Sequence, residues 1–280
     1  MIRVALPNKG QLFDPTIDLL SSCGYSLKKG LKSLSCVDET NGVEFFFLRP
    51  SDIPQYLGRG MIDAGITGLD FNAEKGGTAV PLLNLPYGGS RLCAAISADH
   101  PSENLDVIPS LRIATSFPNI VKSFFKRKDL DLVVLEGAVE ISVALGVADC
   151  VVDIVETGTT LRQAGLKIIG EPLFRSNAAL FAHPGKQNDS AVVRLIRRIE
   201  GRMVAMEYMM VEYVVAEEKL EAASRITPGI ESPTISPLQR SGWVAVKSMI
   251  KKESSNQTLD ELADLGCKGI VLTAIETARI

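Results

Sequence analysis

The chain has 280 residues, 46% apolar and 22% charged, with a net charge of -3. That length suits two or three compact domains, and a balanced charge without a dense Lys/Arg cluster excludes nucleic acid as the main partner. No run of about eighteen apolar residues is present to span a bilayer, and the strand pattern starting at Ile2 leaves no room for a leader, so a cytoplasmic protein is expected.

Strand-like and helical runs alternate from the first residues. Ile2 to Leu6 reads as a strand, followed by a helix near Pro15 to Cys23; Val43 to Leu48 is a strand before a helix at Ser51 to Leu57; Asp63 to Thr67 is a strand ending in a turn at Gly68. After a Gly88-Gly89-Ser90 hinge, further strands are expected at Leu92 to Ser97, Arg112 to Thr115, Leu132 to Leu135 and from Cys150 onward. Helices fall between them near Asn119 to Lys126 and Val139 to Leu145. Two series of this kind predict two α/β lobes with a ligand cleft at the carboxyl ends of their strands. The expected bounds are 1–88 for the first lobe, 89–177 for the second, and 178–207 returning to the first, with Ala191 to Met206 a long amphipathic helix. Beyond it the order is strand (Tyr208 to Ala216), helix (Glu217 to Ile226), two strands (Ser232 to Leu238 and Trp243 to Ile250), helix (Leu259 to Leu265) and strand (Gly269 to Ala274). That is the βαββαβ order of a ferredoxin-like domain over 208–280.

Five cysteines without a C-x-x-C suit buried thiols, not a disulfide framework. His100 and His183, read as loop residues, have no second ligand at zinc spacing. The chemistry concentrates in C-V-V-D-I-V-E-T-G-T-T-L, residues 150–161. A buried strand leads into Thr157, Gly158, Thr159 and Thr160, a tight turn opening a helix whose free N–H groups and hydroxyls can hold a phosphate. Asp153 and Glu156 at the strand end can accept from ribose hydroxyls or share a Mg²⁺ ion with a pyrophosphate. The turn alone is equally an ordinary threonine-capped strand-to-helix turn. An apolar strand and an acid followed by T-G-x-T make a phosphoribosyltransferase fingerprint, with Val152 where many such enzymes carry a second acid.

Other motifs occur in order: V-A-L-P-N-K-G at 4–10, L-R-P-S-D-I-P at 48–54, D-A-G-I-T-G-L-D at 63–70, G-G-S-R-L at 88–92, R-I-A-T-S-F-P at 112–118, G-A-V-E at 137–140 and S-P-T-I-S-P-L at 232–238. Together with D-I-V-E-T-G-T-T-L they run end to end, and the chain resembles the long form of the ATP phosphoribosyltransferase family, the first enzyme of histidine biosynthesis. The resemblance implies a catalytic unit of two lobes similar to periplasmic binding proteins and a PII-like regulatory domain. It also implies a reaction joining ATP to 5-phosphoribosyl 1-diphosphate (PRPP), with Mg²⁺ accompanying PRPP, dimers closing into homohexamers, and inhibition by L-histidine. A non-catalytic two-lobed ligand-binding or regulatory protein is the competing reading, which the fold alone leaves open.

On this resemblance Asp153, Glu156, Thr157, Gly158, Thr159 and Thr160 hold PRPP, while Lys9, Arg49, Asp70, Arg91, Ser116 and Glu136 contact ATP; Lys9, Arg91 and Asp153 carry catalysis. Lys9, in a Gly-flanked loop, offers a flexible point charge, and Arg49 and Arg91 offer guanidinium forks for phosphate. Each has a plainer role available: Lys9 as a solvated lysine, Arg49 paired with Asp52, Asp70 as a helix cap. No general base is evident and none is required, since adenine N1 is itself nucleophilic. The resemblance assigns Thr234, Leu238 and Gly269 to histidine binding, although Lys268 and Gly269 replace the small hydroxyl residues common in that turn.

Overall fold

The first strand, β1 (Ile2–Pro7), is buried at every position but Arg3, as a mostly apolar strand paired on both edges of a parallel sheet is. It lies in a six-stranded sheet of order β2-β3-β1-β4-β11-β5, built from β2 (Ser35–Asp38), β3 (Val43–Leu48), β4 (Ala64–Gly68), β5 (Val80–Asn84) and β11 (Ala178–Ala182). This computed structural model describes residues 1–27, 34–101, 111–125 and 130–280; Lys126, expected at the end of a helix, lies outside the described residues. They form two units: Met1–Ser21 with Tyr25–Val193, and Ser22–Gly24 with Arg194–Ile280.

The first unit holds a second, five-stranded sheet of order β10-β6-β9-β7-β8, from β6 (Ser90–Ser97), β7 (Arg112–Thr115), β8 (Asp131–Val134), β9 (Cys150–Val155) and β10 (Leu166–Ser176). The two sheets repeat one plan. In the first, β3, β1 and β4 run parallel, and β11 enters antiparallel beside β4. In the second, β8, β7 and β9 run parallel, and β6 enters antiparallel beside β9. Each inserted strand has just crossed from the other lobe, so the lobes are laced by two segments, 85–89 and 177. These segments are bonded: Leu85 N donates to Ala178 O at 2.8 Å and Ala178 N to Tyr87 O at 3.0 Å. Gly88 has φ 70°, and a β-carbon there would collide with the Leu12 side chain, so the crossing needs glycine. This is the two-lobed, periplasmic-binding-protein-like architecture expected.

The helices of this unit are α1 (Phe13–Ser22), α2 (Ile53–Gly58), α3 (Leu69–Glu74), α4 (Pro118–Phe125), α5 (Ile141–Ala144) and α6 (Thr159–Gln163). Strands β2, β5, β10 and β11 are additions to the sequence reading. β10 is masked by Gly170 and Pro172, where its register against β6 shifts between Ile169 and Phe174.

Helix α7 (Ser190–Glu207) straddles the two units, whose division falls at Val193 and Arg194, not at 208. The second unit carries a four-stranded sheet of order β13-β14-β12-β15, from β12 (Tyr208–Ala216), β13 (Thr234–Pro237), β14 (Trp243–Lys251) and β15 (Lys268–Ala274), with all neighbours antiparallel. Helices α8 (Leu220–Ile226) and α9 (Ser255–Leu265) join its strands, α9 starting four residues before the expected Leu259. Leu220, Ile226, Leu259 and Leu262 pack on Val211, Tyr213, Val215 and Val246, one face of the sheet. Strand order and helix placement are those of a ferredoxin-like fold.

Candidate functional site

Parallel strands deliver their following loops to one sheet edge, and β1, β3 and β4 do this for the first lobe. Pro7 stands opposite Leu48 in the β1–β3 register, so the loops carrying Lys9 and Arg49 emerge side by side, both side chains exposed. Asp70 behaves differently. It lies in the first turn of α3 with only 4% of its surface exposed. Ser176 Oγ donates to Asp70 Oδ1 at 2.8 Å and accepts from Asp70 N at 3.1 Å. Burial pushes the Asp70 carboxyl above its ordinary range, against the lowering effect of the Ser176 bond. A β-carbon on Gly68 would run into Asp70 Oδ1, so the glycine is what lets this carboxyl turn inward. Lys9, Asp70, Phe71, Ser90, Ile154 and Ser176 are among the residues lining one cavity of about 140 Å³ between the lobes.

The second lobe presents the ends of β7, β8 and β9. Ser116, half-buried, follows β7; Glu136, exposed, follows β8. Asp153, in β9, is half-buried, and its Oδ1 accepts from Ile154 N at 2.8 Å. Burial raises its carboxyl above the usual value of 3.8, the Ile154 bond lowers it, and the nearby negative charge of Glu140 raises it further. Glu140, the last residue of G-A-V-E, is near enough for its charge to act on Asp153. The same loop contains Ala138 with φ 50°, the one non-glycine residue in the left-handed region among those described.

The turn after β9 is open. Gly158 adopts φ 75° and ψ 8° at the start of α6, and Glu156, Thr157, Thr159 and Thr160 are exposed. The Thr157 and Thr159 hydroxyls lie 3.1 Å apart, and Arg162 Nη2 donates to Thr159 Oγ1 at 3.4 Å. Arg91 stands opposite Val155 in the β6–β9 register, and Arg175 opposite Arg91 in the β10–β6 register. Two guanidinium-bearing positions therefore follow one another across the sheet on one side of the root of the turn. Arg162 and Arg175 were missed because the first needs the turn's geometry and the second needs a strand whose interruption hides it.

The start of α4 is filled from within. Glu74, at the end of α3, accepts Asn119 N at 3.0 and 3.1 Å and Ile120 N at 3.0 Å, while Asn119 Nδ2 donates to Glu74 O at 2.9 Å.

In the second unit Thr234 and Gly269 line one cavity of about 330 Å³ with Glu212 and Lys247, whose ion pair measures 2.6 Å. Thr234 is in a strand, paired with Lys247 across the sheet. Leu238 is outside that lining, in the turn after β13, with its amide donating to Trp243 O at 3.2 Å. Lys268 holds its ammonium 5.2 Å from the centre of the Trp243 ring, with Arg240 at 4.8 Å from the same ring.

Fold and site together define a two-lobed α/β unit with an exposed, hydroxyl-bearing turn beside a carboxylate and an appended ferredoxin-like domain. Residues 49–201 match the family model for ATP phosphoribosyltransferase, and residues 205–277 match the model for that family's C-terminal domain. The chain is 43% identical over its full length to the whole ATP phosphoribosyltransferase of Salinibacter ruber, and 44% identical, again over both full lengths, to that of Corynebacterium aurimucosum. Among solved structures it is similar to a chain of the ATP phosphoribosyl transferase (HisG:HisZ) complex from Thermotoga maritima, with a TM-score of 0.63 and 27% identity, covering 71% of this chain and 97% of that one. The chain belongs to the ATP phosphoribosyltransferase family of histidine biosynthesis, in its long form.

Proposed function

We propose that the cleft of the first unit joins ATP to PRPP through the carboxylate of Asp153, the turn 156–160 and the cations at the facing strand ends. The reaction forms a bond from adenine N1 to ribose C1 and releases pyrophosphate, giving N1-(5-phosphoribosyl)-ATP. Charge grows positive on the ribose and negative on the leaving group, so the task is positioning and electrostatic support. The observation that carries the assignment is the contrast between helix starts in the second lobe. The α4 start is occupied by Glu74, whereas the turn at Gly158 is open and ringed by hydroxyls. An incoming 5-phosphate meets the exposed hydroxyls of Thr157, Thr159 and Thr160 at this turn and a repelling carboxylate at α4.

Asp153, with Glu156, orients the ribose hydroxyls, and Arg91 offers a fork to phosphate oxygens. Lys9 and Arg49 face the ATP phosphates, and Asp70 and Ser116 frame its nucleoside; Glu136, exposed beyond β8, belongs to the rim. Among the described residues no three His, Cys, Asp or Glu side chains converge as a metal cage. A pair of acids such as Asp153 and Glu140 suits Mg²⁺ carried in on substrate phosphates, which would neutralise the pyrophosphate. In the second unit, L-histidine fits the cavity at Thr234 and Gly269, where Glu212 and Lys247 match an amino acid's ammonium and carboxylate; Leu238 would close its edge. Homohexamer formation and histidine inhibition complete the reading. The test is the absorbance of N1-substituted adenine when purified protein meets ATP, PRPP and Mg²⁺, measured for wild type and Asp153→Asn.

A further inference from the structure

Helix α3 follows β4 of the first sheet, and while Leu69 packs on the first lobe's core, the rest of its apolar side belongs to the second lobe. Phe71 and Ala73 pack against that lobe's core, and the Phe71 and Phe117 rings are 5.9 Å apart between centroids. Its two ends do different things. At the start, Asp70 lines the cleft and is bonded to Ser176. At the end, Glu74, 7% exposed, takes three backbone contacts from Asn119 and Ile120, and Asn119 returns a side-chain bond to the Glu74 carbonyl. The C-terminus of α3 and the N-terminus of α4 are spliced end to end, each satisfying groups that the other leaves unpaired.

This splice fixes a distance that matters. Helix α4 opens two residues after Ser116, and Thr115 Oγ1 accepts the Phe117 amide at 2.9 Å, so the loop between β7 and α4 is held at both ends. Asp70 and Ser116 come from different lobes, and α3 with its cap is a rigid link of six residues joining them. The charge of Glu74 is also matched to its site. A buried carboxylate on the positive end of a helix is stabilised by the unpaired amides it accepts, and a neutral amide replaces only part of that. The turn 156–160 shares none of these bonds.

We propose that Glu74 is a positioning residue for the acceptor nucleotide: by capping α4 it sets the spacing of Asp70 and Ser116 and so tunes the ATP side of the cleft independently of the PRPP side. This rests on the assignment of Asp70 and Ser116 to ATP.

The experiment is steady-state kinetics on the full chain for Glu74→Gln, Glu74→Ala and Asn119→Ala, with melting temperatures measured alongside. Glu74→Gln keeps size and one acceptor oxygen, so it is expected to fold; its KM for ATP should rise about tenfold while KM for PRPP stays within about twofold, the loss expected of a charge-assisted bond. Asn119→Ala, which removes only the reciprocal bond, should shift KM for ATP in the same direction and by less. Unchanged KM values in Glu74→Gln, or parallel rises for both substrates with a lowered melting temperature, would reduce Glu74 to a structural cap and overturn the proposal. A rise for PRPP alone would also overturn it. Asp70→Asn and Ser116→Ala, run in parallel, separate the two claims: an unchanged KM for ATP in both refutes the site assignment, whereas a raised one beside a wild-type Glu74→Gln refutes only the role of Glu74.

Discussion

Asp153→Asn should lower activity and raise stability at once, and the structure says why. The substitution is isosteric, and an amide oxygen can still accept the Ile154 N–H that Asp153 Oδ1 takes at 2.8 Å. What disappears is a charge that the folded protein disfavours, through burial first and then the repulsion of Glu140. The folded-state pKa is raised above 3.8, so the stability contributed by the protonated form is fully present below that value and is lost as pH rises through the folded value. At neutral pH the wild type therefore carries a cost that asparagine removes, and the stability gap should close as pH falls toward about 4. Activity moves the other way. A hydrogen bond from a ribose hydroxyl to a charged acceptor contributes about 1.5–3 kcal/mol, which corresponds to roughly 10- to 150-fold in kcat/KM for PRPP. The assay is product absorbance at saturating ATP, paired with thermal melts at about pH 7 and about pH 4. A kcat/KM for PRPP within about twofold of wild type would remove Asp153 from the site, and a lower melting point at neutral pH would refute the electrostatic argument.

Gly158→Ala should fold, because the nearest atom to the added β-carbon is Ile168 Cδ1 at 3.5 Å; φ of 75° makes it costly by about 1–2 kcal/mol, and PRPP binding by calorimetry should weaken more than ATP binding. Arg91→Met should raise KM for a phosphate-bearing substrate without changing binding of plain adenosine, and equal losses for both would contradict its placement beside Val155. Histidine titration of the full chain should show inhibition, with Thr234→Val shifting the midpoint to higher concentration; Lys268→Ser should leave that midpoint in place, because Lys268 is engaged with Trp243 outside the cavity lining. A midpoint that moves only with Lys268 would relocate the effector site.

How much of this was legible depended on whether a residue's neighbours are local in sequence. The strands β1, β3, β4 and β9 are short, mostly apolar runs followed by turns, so pattern located them and placed Lys9, Arg49 and the 156–160 turn at strand ends. The βαββαβ order of the second unit was readable for the same reason. Registers across crossovers were not. Ser176 meets Asp70 from 106 residues away and Glu74 meets Ile120 from 46, and no spacing rule reports such pairs. Glu140 stands in a motif already singled out, but its electrostatic effect on Asp153 acts between two separate segments and no spacing rule reports it. The ammonium of Lys268 lies 5.2 Å from the centre of the Trp243 ring, a contact between strands that the G-C-K-G turn by itself does not report.

The repeated sheet plan also explains how one architecture serves two substrates. Each lobe ends three parallel strands at the cleft and receives one antiparallel strand from its neighbour, so the backbones offer similar scaffolds. Side chains at the strand ends break the similarity. The first lobe exposes Lys9 and Arg49, which suit the densely charged triphosphate of a nucleotide. The second adds exposed hydroxyls and acids to its own arginines, Arg91, Arg162 and Arg175, which suits a phosphorylated sugar. Had α4 kept an unfilled N-terminus, the second lobe would offer two competing phosphate sites in adjacent loops, and a phosphorylated sugar could seat in two registers. Glu74 removes the competitor with a carboxylate supplied from the other lobe's chain. On the proposed assignment, discrimination between seats follows from filling one helix start as much as from leaving the other open.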